Sequence, residues 1–451
     1  MFFNSWADTW VRHYHHSNNS YEPVLPISPA LPVSPSFHLF SRQRMNSPMT
    51  HTTTIPTLSD RVMQMEESAT LMMARLARQL SSQGHKVISL SLGEPDFDTP
   101  VHVREAAKRA LDAGYTRYTP VAGIPELREA ISRKFMRENG LEYSSSQIVV
   151  SNGAKQCIAN LCLSLLNPGD EAILFSPYWV SYHDIVRVAE GVPVPVHAGI
   201  EHDFKISPQQ LSDAITDRTR LVIFSSPCNP TGSVYTYNEL RTLADVIEPH
   251  EQIIVVSDEI YEHINFTGKH VSIGMFAGVR DRTVTVNGFS KAFAMTGWRL
   301  GYMGAPQWIA DACVKVQGQF TSGANSMSQK AGAEALDADM TPTVEMTKAF
   351  SKRRDLVIQL LEQIPLFLVN RPMGAFYIFP DVSAYFGKSY EGMTITNSDD
   401  FAMFLLEYAH VATVSGSAFG EPKCIRISYA ASEDNIREAI RRIGVAVGQL
   451  S

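Results

Sequence analysis

Cysteine is scarce in this chain. There are five in 451 residues, at Cys157, Cys162, Cys228, Cys313 and Cys424. They are odd in number and scattered, with no Cys-x-x-Cys pair, so neither a zinc site nor a disulfide framework is expected. No metal is assigned anywhere. Long apolar runs are missing too. None approaches the roughly 20 residues that span a bilayer, so no membrane partner is expected. Basic excess is lacking, since the net charge is −7, which leaves no footprint for nucleic acid. Neither a Walker loop nor a Gly-x-Gly-x-x-Gly fingerprint occurs.

Hydrophobic residues make up 44% of the chain, enough for a large core and two domains. Residues 1–57 differ from the rest. Pro23, Pro26, Pro29, Pro32 and Pro35 recur every third position, a period that suits polyproline II without a packed core. His13, His15 and His16 have no neighbours to complete a ligand set. We expect a disordered Pro/Ser-rich extension. It has few acidic residues, as transit peptides do, but lacks their arginine-rich amphipathic character. The expected compartment is reducing: cytoplasmic, or plastid if the extension is a transit peptide.

From Leu58 the pattern is regular. Helices are expected over 68–83, 101–113 and 124–139, each stopped by glycine, with a strand over 87–92. Strand 148–150 runs through Ser151-Asn152-Gly153-Ala154-Lys155 into a helix. A small-residue turn at a helix N-terminus favours an anion such as phosphate. Strands and helices then alternate through 171–256, the rhythm of a mostly parallel sheet flanked by helices. Ligands bind such sheets at the carboxyl ends of strands. Polar residues gather there: Trp179, Asn229, Asp258, Tyr261, Ser290 and Lys291. Beyond Pro342 come a long helix whose run Lys352-Arg353-Arg354 reads as a solvated face, strands 374–379 and 424–429, and helices 398–409 and 433–449. Arg426 sits mid-strand between isoleucines, so it needs an anion, either an internal carboxylate or a ligand.

The segment Gly288-Phe289-Ser290-Lys291-Ala292-Phe293-Ala294-Met295-Thr296-Gly297-Trp298-Arg299 presents one amine and one guanidinium from a small-residue turn. An amine can form a Schiff base with an aldehyde. An arginine offers a planar fork to phosphate. Together with an aspartate for a ring nitrogen and an aromatic face, these residues fit pyridoxal 5'-phosphate.

The motifs Gly-Glu-Pro-Asp-Phe-Asp-Thr-Pro, Ser-Asn-Gly-Ala-Lys-Gln, Pro-Tyr-Trp-Val-Ser-Tyr, Asn-Pro-Thr-Gly, Ser-Asp-Glu-Ile-Tyr-Glu and Lys-Ala-Phe-Ala-Met-Thr-Gly-Trp-Arg lie between Gly93 and Arg299, within a resemblance that covers about residue 58 to the end. In them the chain resembles the class I aminotransferases of fold type I, nearest to the bacterial-type aspartate aminotransferases and their aspartate–prephenate subgroup. The resemblance implies an α/β fold: a large cofactor-binding domain over 100–345 and a small α+β domain from 58–99 with 346–451. It implies that Lys291 forms the Schiff base and shuttles a proton. Asp258 would partner the pyridine nitrogen. Asn229 and Tyr261 would bond the ring oxygen, and Trp179 would stack on the ring. Gly153, Ala154, Lys155, Ser290 and Arg299 would bind phosphate, with Tyr118 reaching it across a homodimer interface. For substrate, Arg426 and Gly93 would hold the α-carboxylate, alongside Trp179 and Asn229. Lys155 would hold the distal carboxylate, and Ser68 and Thr70 lie on a segment that closes over it.

The expected reaction moves an amino group between L-aspartate and 2-oxoglutarate with ping-pong kinetics. Glu66 and Glu67, just before Ser68, would repel a prephenate-like dicarboxylate. Alternatives are an aromatic, kynurenine-type or prephenate aminotransferase and a β-lyase. A regulator built on the same body would carry a helix-turn-helix ahead of it, and residues 1–57 hold no such pattern and only three arginines.

Overall fold

The computed structural model describes residues 58–63, 65 and 67–451. The extension, with its histidines and prolines, and Glu66 lie outside the described residues. Leu58–Ser451 forms one compact unit.

Its centre is a seven-stranded sheet: β1 (Ile148–Ser151), β2 (Glu171–Ser176), β3 (Val192–His197), β4 (Thr219–Ser225), β5 (Ile254–Asp258), β6 (Thr283–Gly288) and β7 (Gly301–Gly304). The spatial order is β1-β7-β6-β5-β4-β2-β3. Every pairing is parallel except those of β7, which runs antiparallel to both β1 and β6. β7 was not foreseen. Its sequence Gly-Tyr-Met-Gly has little β-branched character, and its place is set by its neighbours.

Alternation along the strands divides the core. In β2, Ala172 and Leu174 face the helices Ala154–Leu165 and Ser181–Val188. Ile173 and Phe175 face the helices Pro208–Ala214 and Tyr237–Ile247. Both faces are covered, so the inner strands β2, β4, β5 and β6 are buried along almost their whole length, as parallel sheets require.

A second core joins the helix Thr341–Leu361 and the helix Glu433–Val447 to a three-stranded antiparallel sheet of β8 (Tyr377–Ile378), β9 (Val414–Ser415) and β10 (Ile425–Ser428). The strands expected over 87–92 and 374–379 shorten to Ile88–Ser89 and Tyr377–Ile378. Leu92 of the first segment reaches the central cavity, and Gly374 of the second bridges to Asn265. The helix expected over 124–139 is α-helical over Pro125–Lys134 and closes with a π-turn, Phe135–Asn139, before Gly140. The expected solvated basic face holds for Lys352 and is corrected for its two neighbours. Arg353 and Arg354 are only 13% and 14% exposed. Arg353 pairs with Asp96 at 2.6 Å and covers the Phe97 ring, tying the long helix to the segment after Gly93. Among the described residues no helix is long and apolar enough to cross a membrane.

Candidate active site

The carboxyl ends of the central strands open onto a cavity of about 510 Å³. β4 ends at Ser225 and β5 at Asp258, which pair across the sheet. β6 ends at Gly288, two residues before Ser290 and three before Lys291. Parallel alignment therefore brings polar residues far apart in sequence to one rim.

Asp258 is 4% exposed. It accepts hydrogen bonds from the Tyr182 hydroxyl at 2.6 Å and the Ile260 backbone N–H at 3.2 Å. Burial pushes its carboxyl up to about 6, against the pull of those two donors. Lys291 donates to the Gly93 carbonyl. Burial lowers its amine to about 8, and Arg426 and Arg299 add to this against Glu94 and Asp258. A partly neutral amine thus faces the cavity close to neutral pH.

Arg426 is 2% exposed. It donates to Asn229 Oδ1 at 2.9 Å and to the Ser91 carbonyl at 2.7 Å. The rings of Tyr377 and Phe419 lie 4.5 and 4.9 Å from its guanidinium. No carboxylate pairs with it among the described residues, which removes the internal ion pair as its explanation. Its Nε is buried without a partner. Asn229 spends its oxygen on Arg426, which leaves its Nδ2 hydrogens for the cavity.

Gly153 opens the helix Ala154–Leu165 with φ +88°. A Cβ there would lie 2.5 Å from Arg299 Nη2, so only glycine lets the guanidinium reach this turn. Arg299 and Ala294 hold positive φ of 53° and 49° on the loop after Lys291. Such strain persists only where surroundings enforce it. Thr99 is one enforcer: it donates to the Ala294 carbonyl at 2.7 Å and accepts from Trp298 Nε1 at 3.0 Å.

The cavity wall contains Gly93, Ala154, Lys155, Trp179, Asn229, Asp258, Tyr261, Ser290, Lys291, Arg299 and Arg426, with Ser68 and Thr70 at one side. Gly153 lies behind Arg299. Tyr118 stands apart, 99% exposed. Of the wall residues that were missed, three bear on the chemistry of the site. Tyr182 lies one helical turn after Trp179, a spacing that places both on one face. Tyr377 shares a hydrogen bond of 2.7 Å with Tyr261. Ser225 has a buried hydroxyl without a partner among the described residues. Tyr182 ends the motif Pro-Tyr-Trp-Val-Ser-Tyr, whereas Tyr377 and Ser225 had no signal beyond their place in a strand or at its end.

The family model for class I and II aminotransferases matches residues 85–443. A Petunia hybrida protein described as a bifunctional aspartate aminotransferase and glutamate/aspartate-prephenate aminotransferase is 47% identical over 86% of this chain and 82% of its own. The crystal structure of the Rhizobium meliloti aspartate aminotransferase superposes with TM-score 0.85 at 43% identity, over 88% of this chain and all of the other. Thermus thermophilus aspartate aminotransferase with maleate superposes with TM-score 0.82 at 43% identity, over 87% and all of the respective chains.

Proposed function

The chain belongs to the class I and II aminotransferase family, and from that membership we propose that it moves the amino group between L-aspartate and 2-oxoglutarate, yielding oxaloacetate and L-glutamate. The observation that carries this reading is Arg426: a buried cation without a carboxylate partner, in a cavity shared with Lys291 and Asp258. Such a group is costly unless an anion arrives. A substrate α-carboxylate, held by the guanidinium fork, supplies one.

Enzymes of this family depend on pyridoxal 5'-phosphate, and the donor set fits it. Gly153, Ala154, Lys155, Ser290 and Arg299 would hold its phosphate. Asp258, Asn229, Tyr261 and Trp179 would hold its ring, and the unpartnered Ser225 hydroxyl is a further donor on that wall. When bound, the cofactor supplies an aldehyde carbon and a ring that accepts electrons. Lys291 is the group that takes and returns the proton at the substrate Cα. Asp258 keeps a proton on the ring nitrogen. Arg426 and the Gly93 backbone orient the α-carboxylate. Lys155, which lies over the Trp179 ring at 4.9 Å, is placed to meet a distal carboxylate.

Residues 58–99 with 346–451 act as a small domain closing Ser68 and Thr70 over substrate bound to the larger domain, 100–345, and lids of this kind exclude water. A homodimer accounts for the fully exposed Tyr118, which would complete the phosphate site of the partner. Five free thiols support a reducing compartment such as the cytoplasm.

Prephenate is the second reading. The Petunia relative's description favours it, and so does Glu67: its carboxylate pairs with Arg75 at 3.0 Å, which offsets the repulsion expected from it.

The test is absorbance of the cofactor-loaded protein during titration with single amino acids, without an oxo acid. Aspartate and glutamate should convert the aldehyde band to the amine band, and alanine and aromatics only weakly. Strong conversion by aromatics and none by aspartate would overturn the assignment.

A further inference from the structure

Directly behind the Asp258–Tyr261 segment lies a second layer of charge, sealed from solvent. Asp258 and Tyr261 line the cavity, whereas Glu259 and Glu262 of the same turn do not, and are 0% and 6% exposed. The Glu259 carboxylate accepts from Ser257 Oγ at 2.9 Å, Ser272 Oγ at 2.6 Å and Asn139 Nδ2 at 3.2 Å, and pairs with His270 Nε2 at 2.8 Å. Glu262 pairs with Lys134 Nζ, accepts from Asn139 Nδ2 at 2.7 Å and has His263 Nδ1 at 3.5 Å. Lys134 is fully buried; it donates to Asn139 Oδ1 at 2.7 Å and lies 3.6 Å from Glu138. Asn139 therefore clamps both carboxylates from the π-turn Phe135–Asn139, and His270 and Ser272 converge with it on Glu259 Oε2.

These carboxylate and histidine groups also sit close enough together to hold a cation. The Lys134 ammonium already fills that role between Glu138 and Glu262, and the Asn139 amide bridges Glu262 and Glu259. Burial presses the His270 imidazole down, but Glu259 beside it prevails and holds it above its ordinary value. Glu259 and Glu262 thus face His270 and Lys134 respectively. Such a layer is weak evidence for stability, because apolar residues of similar volume would serve as well. What it does supply is a fixed geometry. The turn that carries Asp258 and Tyr261 on one side is tied by ions on the other.

We propose that Glu259 is a positioning residue for the amino-transfer site: its four partners hold the turn so that Asp258 and Tyr261 stay aimed into the cavity. The proposal rests on the cofactor reading above. Glu259 touches neither cofactor nor substrate, and acts through Asp258.

The experiment compares wild type, Glu259→Gln and Ser272→Ala. Three quantities are read: melting of the apoproteins, the equilibrium dissociation constant for pyridoxal 5'-phosphate, and the pH midpoint of the bound cofactor's absorbance change. Glu259→Gln keeps the shape and removes the charge. It should weaken cofactor binding about tenfold or more, the scale of a lost charge-assisted hydrogen bond, and displace the midpoint. Ser272→Ala should move both in the same sense by less. A merely structural role would lower apoprotein melting and leave the affinity and midpoint of the folded fraction unmoved, and that outcome overturns the proposal. If Glu259→Gln does not fold, Ser272→Ala decides by the same two readouts. Wild type that fails to bind the cofactor would sink the cofactor reading itself, a result separate from any difference between variants.

Discussion

The Tyr182 hydroxyl donates to Asp258 Oδ2 over 2.6 Å, with both side chains buried. Burial raises the Asp258 carboxyl, and this bond opposes the rise. Tyr182→Phe keeps the ring and removes the donor, so Asp258 should become harder to ionise. The acid limb of kcat/KM against pH should move to higher pH, and kcat at neutral pH should fall about tenfold. An acid limb that stays in place would free Tyr182 from any role at the site.

Asp258 itself links stability to pH. Its folded value of about 6 lies above the ordinary carboxylate value, so at intermediate pH the folded state binds more protons than the unfolded one. Stability from this group is full below about pH 4 and is lost as pH rises through 6. At pH 7 the buried charge costs the apoprotein up to about 3 kcal/mol. Apoprotein carrying Asp258→Asn should therefore melt higher than wild type at pH 7, and the advantage should vanish near pH 4. Paired melting curves across that range check this. The same variant should turn over poorly when loaded, because nothing then holds the ring-nitrogen proton.

Lys291 carries the opposite sign. Burial lowers its amine to about 8, so the neutral form grows as pH rises through that value. Attachment of cofactor to apoprotein, followed by stopped-flow absorbance, should accelerate with a midpoint near pH 8. Lys291→Ala should abolish turnover while retaining part of the cofactor affinity. Measurable transamination by that variant would remove Lys291 from its assigned role.

Most of the cavity wall was legible because its residues sit in short motifs at strand ends, where α/β sheets gather ligands. Two kinds of feature were hidden. Arg353 reads as a solvated charge in a basic run, but long-range pairing with Asp96 decides its burial, and no local pattern encodes that. β7 was missed because its two glycines weaken any strand signal. Those glycines answer to contacts remote in sequence instead. A Cβ at Gly301 would lie 2.3 Å from the Ala154 backbone nitrogen.

That approach makes a further prediction. Gly301→Ala would push backbone against backbone at the turn of Gly153 and Ala154, where no side chain can give way. Overpacking of this kind costs about 1–3 kcal/mol. Melting should drop, and affinity for pyridoxal 5'-phosphate should fall more than affinity for substrate, since the displaced atoms belong to the proposed phosphate turn. Equal losses in both would indicate general loosening instead.

Lys155 separates two jobs that its position allows. Its side chain lies over the Trp179 ring, and burial together with the Arg299 charge lowers its amine from the ordinary value. A cation held between another cation and an aromatic face gains most from an incoming anion. If that anion is the distal carboxylate of aspartate, Lys155→Ala should raise the KM for aspartate and 2-oxoglutarate by about tenfold or more and leave that for alanine or an aromatic amino acid little changed. If the anion is the cofactor phosphate, the variant should instead weaken cofactor binding and reduce turnover of every substrate alike. Steady-state kinetics on one dicarboxylic and one neutral amino acid, with a cofactor titration, distinguish the two. The first pattern is expected, because Lys155 shares the cavity wall with Ser68 and Thr70, the segment proposed to close over substrate.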